Sequence, residues 1–482
     1  MPIDPLTPSR RHLLKTTACG FGSLAWTALR GQSAGASAVT GTSPANPLAA
    51  KPPHFAPRAK RVIFLFMSGG PSQVDSFDPK PLLAREDGRM MQFNDPRSVA
   101  KTGQGAQQRV MKELWKFRQY GESGLPVSDL FPHMGSIVDD LCVIRSMATE
   151  GVAHGPATIF LHTGSTSFVR PSMGSWVSYG LGTENENLPG FVSLSPALGN
   201  GGPRNYGSAF LPAVYQGTPV GRSGIPARES RIKNLADASV PIDERQRRFE
   251  MVRRLNAAQI SDRAHDAEWD AVLSSYELAW RMQTSAPSVL DLAGESRETL
   301  KLYGIGEEPT DNYGRLCLMA RKLVESGVRY VQVNYADNTN NPSWDQHSNL
   351  PKHAEHARAV DKPVAALVRD LKARGLLEDT IVWWGGEFGR TPYAERNGTG
   401  RDHNPGGFTV WLAGGGFKAG TPFGATDEFG FQAVENRVHM HDLHATILHA
   451  LGLDHERLTY RFAGRDFRLT DVHGEVVHGL FA

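Results

Sequence analysis

Eleven of the chain's 17 histidines fall at or after His347, and several stand beside acids in stretches that follow strand-like runs. That clustering is what a metal centre needs, because imidazole and carboxylate are ordinary ligands of catalytic divalent ions. Asp345 and His347 are one residue apart, so in extended backbone both side chains project to the same side and can share one ion. The donor set suits zinc, manganese or iron, whereas calcium wants more oxygen. His403, between Asp402 and Asn404 in a glycine-rich stretch, offers a third ligand oriented by its neighbour. Glu387 follows Gly385 and Gly386, which let the backbone bend sharply and bring the carboxylate to a sheet edge. Three residues on, Arg390 has the planar fork that meets an oxyanion through two N–H groups. The competing reading of Glu387 and Arg390 is a salt bridge between them. Asp75, just past the first strand, is a further candidate ligand, although turn chemistry alone favours Asp there. His441 and His444 read as structural, with Asp442 capping the helix that carries them.

These residues need elements to position them. Arg61–Met67 is a continuous apolar run ending in Ser68-Gly69-Gly70-Pro71, the profile of a strand buried on both faces of a parallel sheet. In such sheets the active loops lie at the carboxyl ends of the strands. Asp129–Val138 predicts a helix feeding a strand at Leu141–Met147, after which a small-residue loop opens into an apolar segment. His154 then stands at or near a helix N-terminus, where enzymes place nucleophiles and anion-binding groups. A helix at Asp311–Ser326 and a strand at Val328–Tyr335 deliver Asp345 and His347, and a helix at Ala354–Arg374 and a strand at Thr380–Trp384 deliver Glu387. A strand at Phe408–Leu412 and a helix at Asp442–Leu451 close the core.

Composition narrows the class. With 40% hydrophobic and 21% charged residues the chain reads as a folded soluble protein with a sizeable core. The net charge of +2 comes from residues 1–38, and about −1 remains without them, so no basic field favours nucleic acid. Ser9-Arg10-Arg11-His12-Leu13-Leu14-Lys15, a weakly apolar run to Leu29 and Ala36-Ser37-Ala38 have the order of a twin-arginine signal peptide with its cleavage site. The expected organisation is a signal peptide at 1–38, a flexible linker at 39–58 and one α/β domain at 59–482, with a loop-rich and helical insertion near 199–310. Export makes the twin-arginine machinery a partner and the periplasm or exterior the location. No later segment reaches the roughly 18 apolar residues of a membrane span. Cys142 and Cys317 sit in apolar runs and read as buried thiols rather than a bridge.

The order of elements from Lys60 to Asp454 resembles the alkaline phosphatase and sulfatase superfamily, and within it the sulfatase-like branch of twin-arginine-exported bacterial proteins. The matching motifs are Gly69-Gly70-Pro71-Ser72, Gly385-Gly386-Glu387-Phe388-Gly389-Arg390 and the run from Asp442 through Thr446 to Gly452. The stretch from His154 to Gly164 resembles the sulfatase signature, with Pro156, Thr163 and Gly164 in register, but His154 stands in the place of the nucleophile. The resemblance implies an alkaline phosphatase-like three-layer sandwich with a mostly parallel central sheet flanked by helices. It also implies that Asp345, His347 and His403 hold the first metal, and that Glu387 falls where an acid of the second metal belongs. Ser68 replaces a metal-binding Asp of that second centre, Phe388 replaces its histidine, and Thr158 replaces an arginine that steadies the sulfatase nucleophile. A formylglycine mechanism is excluded, because neither Cys nor Ser stands at 154.

The expected function is therefore an exported, metal-dependent hydrolase of phosphate or sulfate esters, on a small molecule or a polysaccharide. One divalent ion is held by Asp345, His347 and His403 with Glu387 or Asp75, and His154 and Arg390 are the catalytic candidates. His154 is open to acid/base, oxyanion, nucleophile, ligand or structural roles. Two alternatives stand beside this: a pseudo-enzyme that binds an anionic glycan or a partner protein, and a phosphomutase-like transferase or isomerase.

Overall fold

A computed structural model describes residues 46–95, 105–235, 239–260, 267–337, 342–395 and 398–482. The expected signal peptide and residues 39–45 of the expected linker lie outside these. Residues 46–58, assigned to the same linker, are instead held against the domain. Leu48 is buried, and the backbone N–H groups of His54 and Arg58 donate to the carbonyls of Gly452 and Ala450.

The core strands are β1 (Arg61–Met67), β2 (Leu141–Ala148), β3 (Phe191–Leu194), β4 (Thr218–Val220), β5 (Tyr330–Tyr335) and β6 (Thr380–Gly385). After them come β7 (Gly389–Ala394), β8 (Arg401–Asn404), β9 (Phe408–Ala413), β10 (Thr421–Phe423) and β11 (Val438–His439). Side by side they run β10-β2-β9-β6-β1-β5-β3-β4, with β11 also paired to β2. Every pairing is parallel except those of β9 with β6 and β2, so the sheet is mostly parallel as expected. β7 and β8 form a separate antiparallel hairpin.

The run Val62–Met67 is buried throughout because helices cover both faces of the sheet. The principal helices are α1 (His154–Thr163), α2 (Met173–Leu181), α3 (Asp311–Glu325), α4 (His353–Ala373) and α5 (Met440–Ala450). On one face, His162 of α1 packs on Phe64 and Phe66, His444 of α5 bonds to the Leu161 carbonyl, and Gly174 of α2 meets the Phe191 ring. On the other, Tyr313 of α3 and His356 of α4 both pack on Tyr335, which shares its face with Met67. This is the three-layer α/β sandwich that the sequence implied.

Some local expectations need correction. The helix expected over Asp129–Val138 is only Pro132–Gly135, with a tighter turn at Val138–Asp140. Asp402 and His403 lie in strand β8 rather than in a loop. The expected insertion near 199–310 contributes an edge strand, β4, to the central sheet, and its described residues otherwise hold short turns and helices, the longest Ile242–Ile260 and Ala267–Leu290. Cys142 and Cys317 are free and buried. Among the described residues no helix is long and apolar enough to cross a membrane.

Candidate metal centre

Three adjacent parallel strands, β6, β1 and β5, end at one edge of the sheet, and their loops carry Glu387, Gly69 and Asp345. The Gly69 loop passes so close to the Asp345 loop that a Cβ on Gly69 would lie 2.7 Å from the Asp345 nitrogen and 2.8 Å from that of Trp344. Its φ of +110° is also a backbone conformation that L side chains rarely adopt. The Gly69 N–H, freed from the sheet, donates to both carboxylate oxygens of Glu387, at 3.0 and 3.1 Å. This backbone donor holds both oxygens of the Glu387 carboxylate.

Strand β2 leads into α1, which begins at His154. Its Nδ1–H donates to Glu387 Oε1 at 2.6 Å, while Nε2 lies 3.1 Å from Asp345 Oδ2 without the alignment of a hydrogen bond. Burial alone would lower the pKa of this imidazole, but its close approach to the two carboxylates, Asp345 and Glu387, outweighs burial and raises it to about 9.

The other oxygen of Asp345 is the meeting point of the site. Oδ1 lies 2.9 Å from His347 Nε2 and 3.3 Å from His403 Nε2, and those two nitrogens are 3.0 Å apart. His403 Nδ1–H donates to the Val152 carbonyl at 2.8 Å, which leaves Nε2 as a lone pair directed at the group. Burial raises the Asp345 pKa, while the close imidazoles of His154, His347 and His403 and the Arg390 guanidinium lower it, and the lowering prevails. For His403, burial pulls the pKa down despite the Asp345 carboxylate.

The three atoms form a triangle with sides of 2.9, 3.0 and 3.3 Å, slightly tighter than the roughly 3.3–3.6 Å edges of a tetrahedron of ligands around a metal such as zinc, so a modest spreading of the side chains would seat an ion. His154, Asp345, His347 and His403 together offer one ligand atom each within 4.8 Å of one another, and a smaller set of His347, Glu395 and Asp402 adjoins them. The donor chemistry therefore fits a divalent ion of the zinc, manganese or iron kind.

The remaining candidates from the sequence are placed elsewhere. Asp75 is fully buried, and its carboxylate takes Arg401 Nε at 2.8 Å, the Ser72 hydroxyl at 2.5 Å and the Leu114 N–H at 3.0 Å. It is a structural ion pair rather than a ligand. Glu387 stands behind His154 and outside the ligand group. Arg390 does not pair with Glu387 and has no fork free for an oxyanion. It is fully buried and donates to the carbonyls of Gly69, Gly70, Trp344 and Arg401 and to Asp345 Oδ1 at 2.8 Å.

His441 and His444 are buried on α5, where burial pushes their imidazoles down to about 2 and about 4. Asp442 accepts the His439 N–H at 2.8 Å and caps the helix as expected. The carbonyl of Val152, the amide of Gly69 and the Glu395 carboxylate carried no sequence signal, since their roles arise only from chain segments meeting in space. A large cavity of about 820 Å³, against Ile232, Leu290, Leu300 and Met319, contains none of these residues.

Comparison with curated proteins found no match. Among solved structures, the chain is similar to a lipoteichoic acid synthase from Listeria monocytogenes at 10% identity, covering 88% of this chain and 78% of that one with a TM-score of 0.35. A sulfatase from Pseudoalteromonas sp. matches at 12% identity over 83% and 69% of the two chains, TM-score 0.35. An alkaline phosphatase from the Antarctic bacterium TAB5 matches at 10% identity over 82% and 99%, TM-score 0.30. The family match covers nearly the whole domain: over residues 59–481 the chain belongs to the family described as Protein of unknown function (DUF1501).

Proposed function

We propose that the protein is a metal-dependent hydrolase of phosphate or sulfate esters, in which Asp345, His347 and His403 hold one divalent ion. The observation that carries this reading is the triangle of Asp345 Oδ1, His347 Nε2 and His403 Nε2, with the His403 tautomer fixed by Val152. A divalent ion held there supplies a Lewis acid that polarises an ester oxygen and acidifies water. The rest of the chemistry falls to the chain. Water is the nucleophile in this reading, because the helix that could present a serine, threonine or cysteine begins with histidine. Glu387 fixes the His154 ring through Nδ1, so that Nε2 faces the ligand atoms and can donate to an ester oxygen. Phe388 packs on His403 and His154, with ring centroids 4.4 and 5.0 Å away, and shields that side from bulk water.

Export through the twin-arginine pathway to the periplasm or exterior belongs to the same proposal, supported by the pattern Ser9-Arg10-Arg11 and Ala36-Ser37-Ala38. A binding-only reading draws on one observation, that Arg390 spends its donors inside the protein and leaves none for a substrate anion. Turnover separates the two. Protein loaded with zinc or manganese is expected to cleave an aryl phosphate or an aryl sulfate, and His154→Ala to lose most of that turnover while keeping its metal. Loaded protein inert on both esters favours the binding module.

A further inference from the structure

We infer that Glu395 is a positioning residue for the metal centre, and that the β7–β8 hairpin sets all three ligands. The inference rests on the reading of Asp345, His347 and His403 as a metal site. Arg390, at the start of the hairpin, donates to Asp345 Oδ1 at 2.8 Å. His403, its cross-strand partner, is itself a ligand. Glu395 lies at the turn, where its N–H donates to the Gly400 carbonyl at 2.9 Å and its carbonyl accepts the Gly398 N–H at 2.7 Å. From there Glu395 Oε1 reaches His347 Nδ1 at 3.2 Å.

The turn also touches His347 through backbone: a Cβ on Gly400 would lie 2.3 Å from the His347 carbonyl oxygen. His347 and the hairpin are therefore fitted to one another, although 48 residues separate His347 from Glu395.

The chemistry follows from the two imidazole nitrogens. A histidine can ligate through Nε2 only when that atom keeps its lone pair, and a hydrogen bond from Nδ1–H to an acceptor selects that tautomer. The Val152 carbonyl does this for His403, and Glu395 does it for His347 with a charged acceptor, which also raises the basicity of Nε2. Asp402 is a poorer acceptor for the same nitrogen: its Oδ1 is 3.6 Å from His347 Nδ1 and already takes the N–H of His403 at 2.7 Å. The adjoining set of His347, Glu395 and Asp402 is thus a support for the first ion rather than a seat for a second.

The test is a zinc titration against a competing chelator on the full-length protein, with metal stoichiometry and thermal unfolding of the metal-free form measured in parallel. Glu395→Ala is expected to weaken zinc binding by about 10–100-fold while binding stays at one ion per chain. Glu395→Gln keeps an acceptor oxygen without the charge, and is expected to recover part of that loss. Nitrogen NMR of the metal-free protein should show His347 protonated at Nδ1, and a mixture of tautomers in Glu395→Ala. Unchanged zinc affinity in both variants would overturn the inference, as would loss of one of two bound ions, which would place an ion at Glu395 itself. Should the unaltered protein bind no divalent ion, the metal-centre reading fails first and the inference falls with it.

Discussion

His347 and His403 turn their Nε2 atoms toward each other at 3.0 Å, across 56 residues of sequence. With the Nδ1–H of one ring given to the Val152 carbonyl and that of the other to Glu395, neither Nε2 carries a proton to share with its neighbour. The arrangement makes sense when both lone pairs point at a shared cation, with Asp345 Oδ1 as the third corner. Backbone and side chain cooperate to hold it: Val152 orients one ring, Glu395 the other, and Arg390 the carboxylate.

Gly69 is the tightest backbone constraint at the site. A methyl group there meets the backbone of Asp345 and Trp344 below 3 Å and imposes strain at a φ of +110°. Gly69→Ala is expected to cost about 1–3 kcal/mol of stability. It should also weaken metal binding, because the Asp345 loop must move away. Thermal unfolding and zinc titration of the variant check both effects, and an unchanged affinity would show that the loop contact does not set the ligand.

Asp75 and Arg401 form an ion pair in which both side chains are fully buried. Removing one partner leaves the other charged and unmatched, at a cost of about 3–5 kcal/mol. Asp75→Asn is therefore expected to unfold at markedly lower denaturant concentration while its metal content stays that of the unaltered protein. Loss of metal without loss of stability would instead make Asp75 a ligand.

Asp361 of α4 accepts the N–H groups of His133 and Met134 at 2.8 and 2.7 Å, one on each oxygen. Burial pushes its carboxyl up to about 7, against the lowering effect of those two bonds. Between the ordinary value of 3.8 and about 7 the folded state holds a proton that the unfolded state has released. Stability from this group is therefore fully present below about 4 and is lost as pH rises through about 7. Asp361→Asn removes that slope and leaves one N–H without an acceptor, at about 1–3 kcal/mol. Denaturant unfolding from pH 4 to 8 should show the gap between the two proteins narrowing as pH rises. Parallel curves would contradict the assignment.

The fold was legible wherever apolar runs and helix periodicity were decisive. Arg61–Met67 and Thr380–Gly385 are near-continuous apolar runs, as a sheet covered on both faces favours, whereas Tyr330–Tyr335 alternates and its buried Gln332 and Asn334 are hydrogen-bonded to one another and, through Asn334, to the Leu194 carbonyl. Asp345, His347, His403 and His154 were legible as residue types near strand ends, and the structure brings these four together. What sequence did not reveal was pairing across long separations. Asp75 is occupied by Arg401 from 326 residues away, and Arg390 is spent on carbonyls of Gly69, Gly70 and Trp344. Strand β8 escaped notice because Arg401-Asp-His-Asn404 has no apolar period, and pairing with β7 rather than burial of a face makes it extended. The Glu395 contact to His347 belongs to the same class of tertiary fact.

The central claim is that one divalent ion is held by Asp345, His347 and His403. Its most direct test is elemental analysis of the full-length protein purified without added metal, beside the double variant His347→Ala with His403→Ala. The account predicts zinc, manganese or iron near one per chain in the unaltered protein, and little or none in the variant. Equal metal content in the two, or a metal-free protein that takes up no ion when one is supplied, would contradict it.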